Sequence, residues 1–267
     1  MRRFTLVAAA LAAASAAPVP AQEQEQARGE VRAEQFAQLP YWLGYWVSEY
    51  QAGTTIGGIA PETLAAREEG RGLRGNFMAL LGSNAPWSEA GRARFEASRI
   101  ASAGRKANGW GFPLMMNSAA PLQFLITPEE VLIINPYNDV RHIYTDGREM
   151  PAADDMWPTV WGTSVGRWEG DVLVVETVMV RNPNDYFHGA PPLSDEARYE
   201  ERIWIEGDRL IDEMTIIDPV ALAEPWKARL SFVRDEGFDR MIHIDYDNDR
   251  TGFDGEHATI EAEAVED

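Results

Sequence analysis

The sequence contains no cysteine among its 267 residues. Thiol catalysis, iron–sulfur clusters and thiolate zinc sites are therefore excluded, and no disulfide can stabilise the fold. Histidine is also scarce, with four residues at positions 142, 188, 243 and 257. None of them stands in a ligand spacing such as H-x-H or H-E-x-x-H, so the sequence predicts no metal site and no cofactor.

Nucleotide-binding and hydrolase motifs are missing as well. There is no Walker loop and no G-x-S-x-G elbow. Residues 70–75 read G-x-G-x-x-G, but they follow a predicted helix instead of a strand and open no clear helix. This short match does not predict a dinucleotide site.

Long apolar segments are absent except near the start of the chain. Arg2 and Arg3 precede an apolar, alanine-rich run at 4–17, and Val19-Pro20-Ala21 fits a small-x-small cleavage site. The run is shorter than the roughly 20 apolar residues of a membrane-spanning helix. Residues 1–21 are therefore predicted to be a cleavable signal peptide that exports the protein to the periplasm. The arginine pair leaves the twin-arginine route open.

Basic residues are few. Lys and Arg together number 24 against 43 Asp and Glu, which gives a formal net charge of −19. Removal of residues 1–21 takes away two arginines and no acid, so the mature chain is more acidic still. Such a surface repels phosphate backbones and anionic lipids, so nucleic acid and membrane insertion are not expected among its interactions.

The first half of the mature chain has helical and loop character. Residues 22–38, 60–70 and 87–103 are predicted to be helices, with Ser88 as the N-cap of the third. The aromatic segment 41–46 suits a first buried strand, and 104–121 reads as a long loop.

From residue 122 onward, short alternating runs are separated by compact turns that contain Gly and Asp. Eight or more such strands, mostly joined as hairpins, predict a mainly β fold, either an antiparallel lipocalin-like barrel or a strongly curved sheet. One domain is expected over 22–267, with helical and loop segments to 121, the main sheet at 122–246 and an acidic tail after it. The predicted strands span 123–126, 131–135, 140–144, 165–168, 172–177, 199–205, 210–217, 228–233 and 240–246.

Aromatic and cationic residues are concentrated between 141 and 171. Trp157, Trp161, Thr163 and Ser164 are the candidate ligand-binding residues, because aromatic walls with a few fixed polar groups suit an apolar or aromatic ligand. Alternatively, the same residues form a tryptophan-rich barrel core, and Arg167 supports a turn.

Four residues from these segments and the loop after them are candidates for chemistry. Tyr144 or His188 would move a proton, and Arg148 or Arg167 would hold a developing anion. Tyr144, Arg148, Trp161 and Arg167 are expected to converge on one cavity. If Arg167 instead pairs with a carboxylate at an exposed hairpin, it is a turn support.

These segments resemble a large, mostly uncharacterised family of exported bacterial proteins. Its hallmark reads roughly R-R-I-Y-x-D-G-R-P, W-x-G-H-S-x-G-R-W-E-G-D-T-L-V-V-E-T and H-x-H-S-D, followed by E-R, I-x-D-P and P-W. The matching positions are 141–148, 161–177, 194–195, 201–202, 217–219 and 225–226, and the G-R-W-E-G-D segment is the most specific. Residues 39–49 also look like the L-x-G-x-W opening of lipocalin-like barrels such as nitrobindin.

The chain departs from this family at its histidines. Thr163 replaces the histidine of G-H-S, and Pro191 and Leu193 replace those of H-x-H. If these histidines bind a metal or act as bases in relatives, this protein has lost that chemistry or performs another.

Three functions remain open on the sequence. The first is a cofactor-independent enzyme of lyase or isomerase type that acts on a hydrophobic, aromatic small molecule inside the barrel. The second is a lipocalin-like periplasmic binding protein for an apolar ligand without turnover, and the third is an envelope scaffold. Titratable groups with shifted pKa values inside the barrel would favour the enzyme, and a dry apolar pocket would favour the binding protein.

Overall fold

The computed structural model describes residues 21–48, 54–55, 58–59, 80, 85–100, 109–117, 121–137, 139–182, 190–237 and 239–241. The chain forms two compact units, residues 1–38 and residues 39–267. The predicted helix at 60–70 and the candidate His188 lie outside the described residues, as do residues 1–20 of the predicted signal peptide and most of the predicted strand at 240–246.

The first unit contains helix α1, Ala21–Ala37. Its polar, charged sequence leaves the side chains from residue 29 to 37 exposed to solvent. The Arg32 guanidinium lies 5.4 Å from the ring centre of Phe36, four residues later on the same helical face. The helix agrees with the predicted segment 22–38. No helix in the described ranges has the length and apolar character needed to cross a membrane.

The second unit is dominated by β-strands. Its strands and its helix α2 are, in chain order, β1 (Tyr45–Ser48), β2 (Thr54–Thr55), β3 (Gly58–Ile59), α2 (Glu89–Ile100), β4 (Leu122–Ile126), β5 (Glu130–Ile134), β6 (Val140–Tyr144), β7 (Thr163–Glu169), β8 (Val172–Val178), β9 (Arg198–Glu206), β10 (Arg209–Ile217) and β11 (Trp226–Asp235). Two 3₁₀ turns, Leu114–Asn117 and Ala153–Asp155, lie in the connections.

Nine of these strands form a closed barrel in the order β1-β11-β10-β9-β8-β7-β6-β5-β4, with β4 returning to β1. The short strands β2 and β3 pair only with each other. The prediction of a mainly β fold with a barrel is confirmed. Closure pairs every barrel strand on both sides, which removes the open edges that a curved sheet would present.

Two details differ from the prediction. Strand β7 runs parallel to β6, with Ile143 opposite Ser164 and Tyr144 opposite Val165, so the barrel is not wholly antiparallel. A parallel pair needs a long crossover, which residues 145–162 provide. The sheet also begins before residue 122, because β1 pairs with both β4 and β11.

Alternation along the strands separates an inner face from an outer face. On β7 to β11 one cross-strand row is Trp168, Leu173, Ile203, Asp212 and Leu230. All of these positions are apolar except Asp212. Glycines with positive φ, Gly170 at 62° and Gly207 at 65°, make the tight turns of the β7–β8 and β9–β10 hairpins.

The segment 109–117 inserts into the barrel core instead of forming a surface loop. Phe112, Leu114, Met115 and Met116 are completely buried, and the Phe112 ring packs edge-on against Tyr199 with centroids 4.9 Å apart. Asp139 holds the start of this segment. Its carboxylate accepts hydrogen bonds from the backbone N–H groups at 110 and 111, at 2.9 and 3.2 Å.

Helix α2 packs against the connection between β10 and β11. Ser88 caps the helix, as predicted, by accepting a hydrogen bond from the Gly91 N–H at 3.0 Å. The Ser88 N–H donates to the Ala221 carbonyl at 2.9 Å. The rings of Trp87 and Phe95 stack 5.5 Å apart, which fixes the apolar side of the helix.

Candidate functional site

Arg167 lies on the outer face of β7. Its side chain is 69% exposed, and it donates to the Glu169 carboxylate at 2.7 Å. Glu169 also accepts a hydrogen bond from Arg202 at 2.9 Å. The hydrogen bond from Arg202 lowers the pKa of Glu169 most, and the hydrogen bond from Arg167 lowers it further. The prediction that Arg167 holds an anion inside the barrel is therefore wrong, because alternation along β7 turns its side chain to solvent. Arg167 supports the hairpin.

Tyr144 and Arg148 also lie outside the barrel. The Arg148 guanidinium stacks over the Tyr144 ring at 4.0 Å and pairs with Asp146 at 2.6 Å. The pKa of Asp146 is lowered, chiefly by the hydrogen bond from Arg148. His142 stands beside Tyr144 and contacts Glu130 at 2.9 Å. These groups form a solvated cluster of surface pairs.

The predicted ligand-binding residues do not form one wall. Trp157 is 73% exposed, whereas the indole N–H of Trp161 donates to Asp139 at 3.2 Å and anchors the loop there. Thr163 and Ser164 are neighbours on β7, and their side chains point to opposite faces of the sheet. Ser164 is 2% exposed and faces inward, and Thr163 is half-buried on the other face.

Arg148 and Arg167 do meet at an open groove of about 730 Å³ across the outer surface of β7 to β10. Tyr144 and Trp161 do not line it, so the predicted convergence of all four residues is wrong. Charged side chains of both signs line the groove, among them Glu176, Glu200 and Arg202. Two of these charges, Arg167 and Arg202, already pair with Glu169.

The buried arginine of the barrel is Arg141, which is 1% exposed. It donates from Nη1 to Glu201 Oε1 at 2.9 Å and from Nη2 to Glu201 Oε2 at 2.5 Å. Nη2 also donates to Thr177 Oγ1 at 2.8 Å, and Nε donates to Ser164 Oγ at 3.3 Å. The Phe112 ring lies 4.0 Å below the guanidinium. The two buried charges thus form a bidentate ion pair, and further hydrogen bonds satisfy the guanidinium, as burial requires.

Asp212 is the second buried carboxyl group that faces the interior, and its surroundings are different. It is fully buried, and neither carboxyl oxygen has a hydrogen-bond partner among the residues that the structure describes. Burial raises the pKa of Asp212 well above its ordinary value, and the nearby Glu201 carboxylate raises it further against a smaller opposing effect of Arg141. The neutral acid is therefore the favoured form.

Tryptophans line the same interior. The Nε1 atoms of Trp46 and Trp168 are buried and have no hydrogen-bond partner within the described ranges. Trp42 lies edge-on to Trp168 and to Phe124, with ring centroids 5.5 Å apart in both cases. Aromatic rings and buried indole N–H groups without a described partner thus occur together in the barrel interior.

The interior therefore brings together two carboxyl groups with separate properties. Glu201 is an ion-paired carboxylate, and Asp212 is an acid held neutral by its apolar surroundings. A buried acid whose surroundings raise its pKa, as they do for Asp212, is a candidate for acid–base chemistry. This arrangement can deliver a proton and stabilise charge without a bound cofactor.

The sequence contains a signal for these residues that the motif comparison missed. Asp212 lies on the same face of β10 as Leu210, Met214 and Ile216, which are all buried. Glu201 likewise alternates with Tyr199 and Ile203, and Arg141 with Ile143. A charged residue in phase with the apolar positions of a strand must face the core, so the inward charges could have been found by parity alone.

Other matches to the exported family have structural roles. The Asp218 carboxylate accepts from the Ser194 N–H at 2.6 Å and from the Ser194 hydroxyl at 2.8 Å. It also accepts from the backbone N–H groups at 220 and 221, each at 2.9 Å. No group of three or more His, Asp or Glu side chains that could hold a metal ion occurs in the described part of the chain.

Comparisons of this chain with protein-family models, with curated proteins and with solved structures found no match.

Proposed function

We propose that this protein is a cofactor-independent enzyme of lyase or isomerase type that acts on a hydrophobic, aromatic small molecule inside the barrel. The observation that carries the proposal is Asp212, a fully buried acid with no hydrogen-bond partner in the described part of the chain and a raised pKa. A buried polar group without a partner costs stability, about 1–3 kcal/mol, and such groups concentrate at functional sites.

The chemistry follows from the two interior carboxyl groups. Asp212, held neutral, donates its proton to the reacting molecule and recovers one from it or from water. The Arg141–Glu201 pair supplies a fixed local field, and Arg141 favours negative charge that develops nearby. Proton transfer of this kind is sufficient for double-bond migration or for elimination, and neither reaction requires a redox partner.

The aromatic end of the barrel suits the body of such a substrate. Trp42, Trp46, Phe124 and Trp168 present ring edges and faces in the interior, and aromatic pairs gain from edge-on packing. The roles that the sequence predicted for Tyr144, Arg148 and Arg167 pass to Asp212 and Arg141, because the former three lie outside the barrel. His188, the alternative to Tyr144 as the predicted proton carrier, lies outside the described residues, and its role stays a prediction.

Solvent deuterium tests the proposal even while the substrate is unidentified. Small molecules that co-purify with the native protein are extracted, returned to the protein in D₂O and followed by mass spectrometry. The wild-type protein is expected to introduce deuterium into one of them and to form an isomer or an elimination product. The Asp212→Asn variant, which keeps the shape of the neutral acid but cannot transfer a proton, should do neither.

Arg167→Met is the matched control, because it removes a charge on the outer face and leaves the interior unchanged. It should retain the deuterium incorporation of the wild-type protein. Equal incorporation by wild type and Asp212→Asn, or none by the wild type, would overturn the enzymatic proposal.

A lipocalin-like binding protein without turnover is the second candidate. One observation favours it: Arg141 already donates to Ser164, Thr177 and Glu201, and Asp212 is the one interior carboxyl group without a partner in the described part of the chain. A single acid is sufficient to hydrogen-bond a ligand, whereas many proton-transfer reactions need a second titratable group that takes up or returns the proton. Retention of a co-purified ligand with no deuterium uptake would select this function.

The proposed location is the periplasm, reached by cleavage of the segment 1–21. The arginine pair, the apolar run and the small-x-small site support it. The resemblance to exported bacterial proteins over most of the mature chain gives the same location.

A further inference from the structure

We infer that the barrel interior receives the oxygen atom of an aromatic carbonyl compound, which accepts hydrogen bonds from Asp212 and from the indole N–H groups of Trp46 and Trp168. The inference specifies the substrate class of the interior site and rests on the proposed function for the choice of that site. It depends on binding and not on turnover.

Three interior polar groups have no partner among the residues described. They are the Asp212 carboxyl group and the Nε1 atoms of Trp46 and Trp168, and each of these atoms is buried. The large majority of buried side-chain polar atoms in folded proteins have a hydrogen-bond partner. Three exceptions in a single barrel interior indicate that an occupant supplies what the protein does not.

Strand register places the three groups on the inner face. Trp168 and Asp212 belong to one cross-strand row, with only Leu173 and Ile203 between them. Trp46 stands opposite Leu122, which is 1% exposed, so its side chain also points inward. The groups come from β7, β10 and β1, which are spread around the barrel wall and therefore face a shared interior.

The hydrogen-bonding character of the groups selects the chemistry of the occupant. An indole N–H can only donate, and the neutral acid of Asp212 also donates through its hydroxyl. Three donors fit an atom with accessible lone pairs, such as a carbonyl oxygen or the enolate oxygen formed from it. An ammonium group would leave both indoles unsatisfied, and a hydrocarbon would leave all three unsatisfied.

The neighbouring side chains select the body of the occupant. Trp42 packs edge-on against both Trp168 and Phe124, and the buried Val131 and Ile133 lie on β5, next to the strand of Phe124. Flat aromatic rings match such surfaces through edge and face contacts. An aromatic ketone combines the required acceptor with this body.

Acetophenone and α-methylstyrene test the inference as a matched pair. They have nearly the same shape, but the ketone oxygen of the first is a methylene group in the second. Binding is measured on the full-length mature protein by nuclear magnetic resonance titration of the ¹⁵N-labelled indole groups. Each of the nine tryptophans gives one indole N–H signal. Trp46→Phe and Trp168→Phe assign the two relevant signals.

Acetophenone is expected to bind about tenfold more tightly than α-methylstyrene and to shift the Trp46 and Trp168 N–H signals downfield. Each Phe variant should reduce the preference for the ketone and leave the affinity for the alkene unchanged. A purely structural tryptophan would change both affinities together. Trp157→Phe, at a 73% exposed position, is the control and should alter neither.

Asp212 is tested by two substitutions. Asp212→Asn retains a donor and should keep most of the ketone preference, whereas Asp212→Leu removes the donor and should abolish it. Far-ultraviolet circular dichroism checks that both variants fold. The same ketone preference in the Leu variant as in the wild-type protein would remove Asp212 from the site.

Equal affinity for the two probes, binding without shifts at Trp46 and Trp168, or no binding of either probe would overturn the inference. A ketone preference without deuterium transfer would keep the inference and remove the enzyme. Turnover of a compound that lacks an acceptor oxygen would keep the enzymatic proposal and overturn the inference about the carbonyl oxygen.

Discussion

Arg141 and Glu201 face each other across the inside of the barrel, with Nη1 2.9 Å from Oε1 and Nη2 2.5 Å from Oε2. The two residues come from β6 and β9, which are not neighbours in the sheet. The pair therefore bridges the interior of the barrel and connects its first half to its second. Ser164 and Thr177, on the two strands between them, complete the network.

Removal of one member of this pair is expected to destabilise the protein strongly. Arg141→Met leaves the buried Glu201 carboxylate without its counter-charge and should lower the free energy of unfolding by about 3–5 kcal/mol. Urea denaturation followed by tryptophan fluorescence measures the change. The double variant Arg141→Met/Glu201→Met, which removes both charges, should recover much of the loss.

Arg167→Met provides the control for this prediction, because its pair with Glu169 is exposed and screened by solvent. It should leave the denaturation midpoint almost unchanged. A double variant no more stable than Arg141→Met would show that the hydrogen bonds to Ser164 and Thr177 matter more than charge pairing.

The stability of the protein should depend on pH through Asp212. Because its pKa is raised in the folded state by burial, and then by Glu201, the folded protein binds this proton more tightly than the unfolded chain. The contribution of Asp212 to stability is therefore fully present below its ordinary pKa and is lost as the pH rises toward the raised value. Asp212→Asn should gain stability relative to wild type as the pH increases above the ordinary pKa of an aspartate, about 4.

Thermal unfolding of both proteins across this pH range measures the difference. Asp154→Asn, at an exposed position in a 3₁₀ turn, is the control and should track the wild-type curve. A constant difference between Asp212→Asn and wild type at every pH would mean that Asp212 is charged in the folded protein.

Close packing of α2 makes Gly91 sensitive to substitution. A Cβ atom there would lie 2.0 Å from the Ala221 carbonyl oxygen, which is backbone and cannot rotate away. Gly91→Ala should therefore destabilise the protein by about 1–3 kcal/mol, although alanine favours helices. Gly29→Ala, in α1 with nothing within 4 Å of the new atom, should be neutral or slightly stabilising. Calorimetric unfolding distinguishes the two, and an unchanged Gly91→Ala would show that α2 can shift.

Export predicts a defined mature terminus. Protein recovered from the periplasmic fraction of a Gram-negative host should begin at or near Gln22, because signal peptidase cleaves after small residues such as Ala21. Amino-terminal sequencing tests this directly. A cytoplasmic protein with Met1 still in place would contradict it.

Local signals predicted most of the sheet. The predicted strand at 140–144 coincides with β6, and those at 172–177 and 210–217 differ from β8 and β10 by one residue at one end. Alternation and turn glycines act over a few residues, which is why they are readable in the sequence. The parallel β6–β7 pair is different, because nothing within either strand specifies which neighbour it takes.

The candidate site was predicted less well, for a physical reason. Motif matching selected Arg167 because it stands next to Trp168, but a strand residue one position away points to the opposite face. Arg148 lies beyond the end of β6, where alternation gives no direction. Arg141 and Asp212 belong to the inward set, which only the alternation of their own strands reveals. The pairing of Arg141 with Glu201 joins distant strands and required the three-dimensional arrangement.

Strand β1 comes early in the chain but closes the barrel against β11 and β4. During synthesis from the amino terminus, Trp46 and its neighbours therefore emerge long before Phe232 and Val233 exist to pair with them. The hairpins from β7 to β10 can form locally and quickly, whereas closure must wait for β11 and bring together distant parts of the chain. Closure is thus expected to set the folding rate, and the interval before it is when the unfinished chain is most exposed to aggregation.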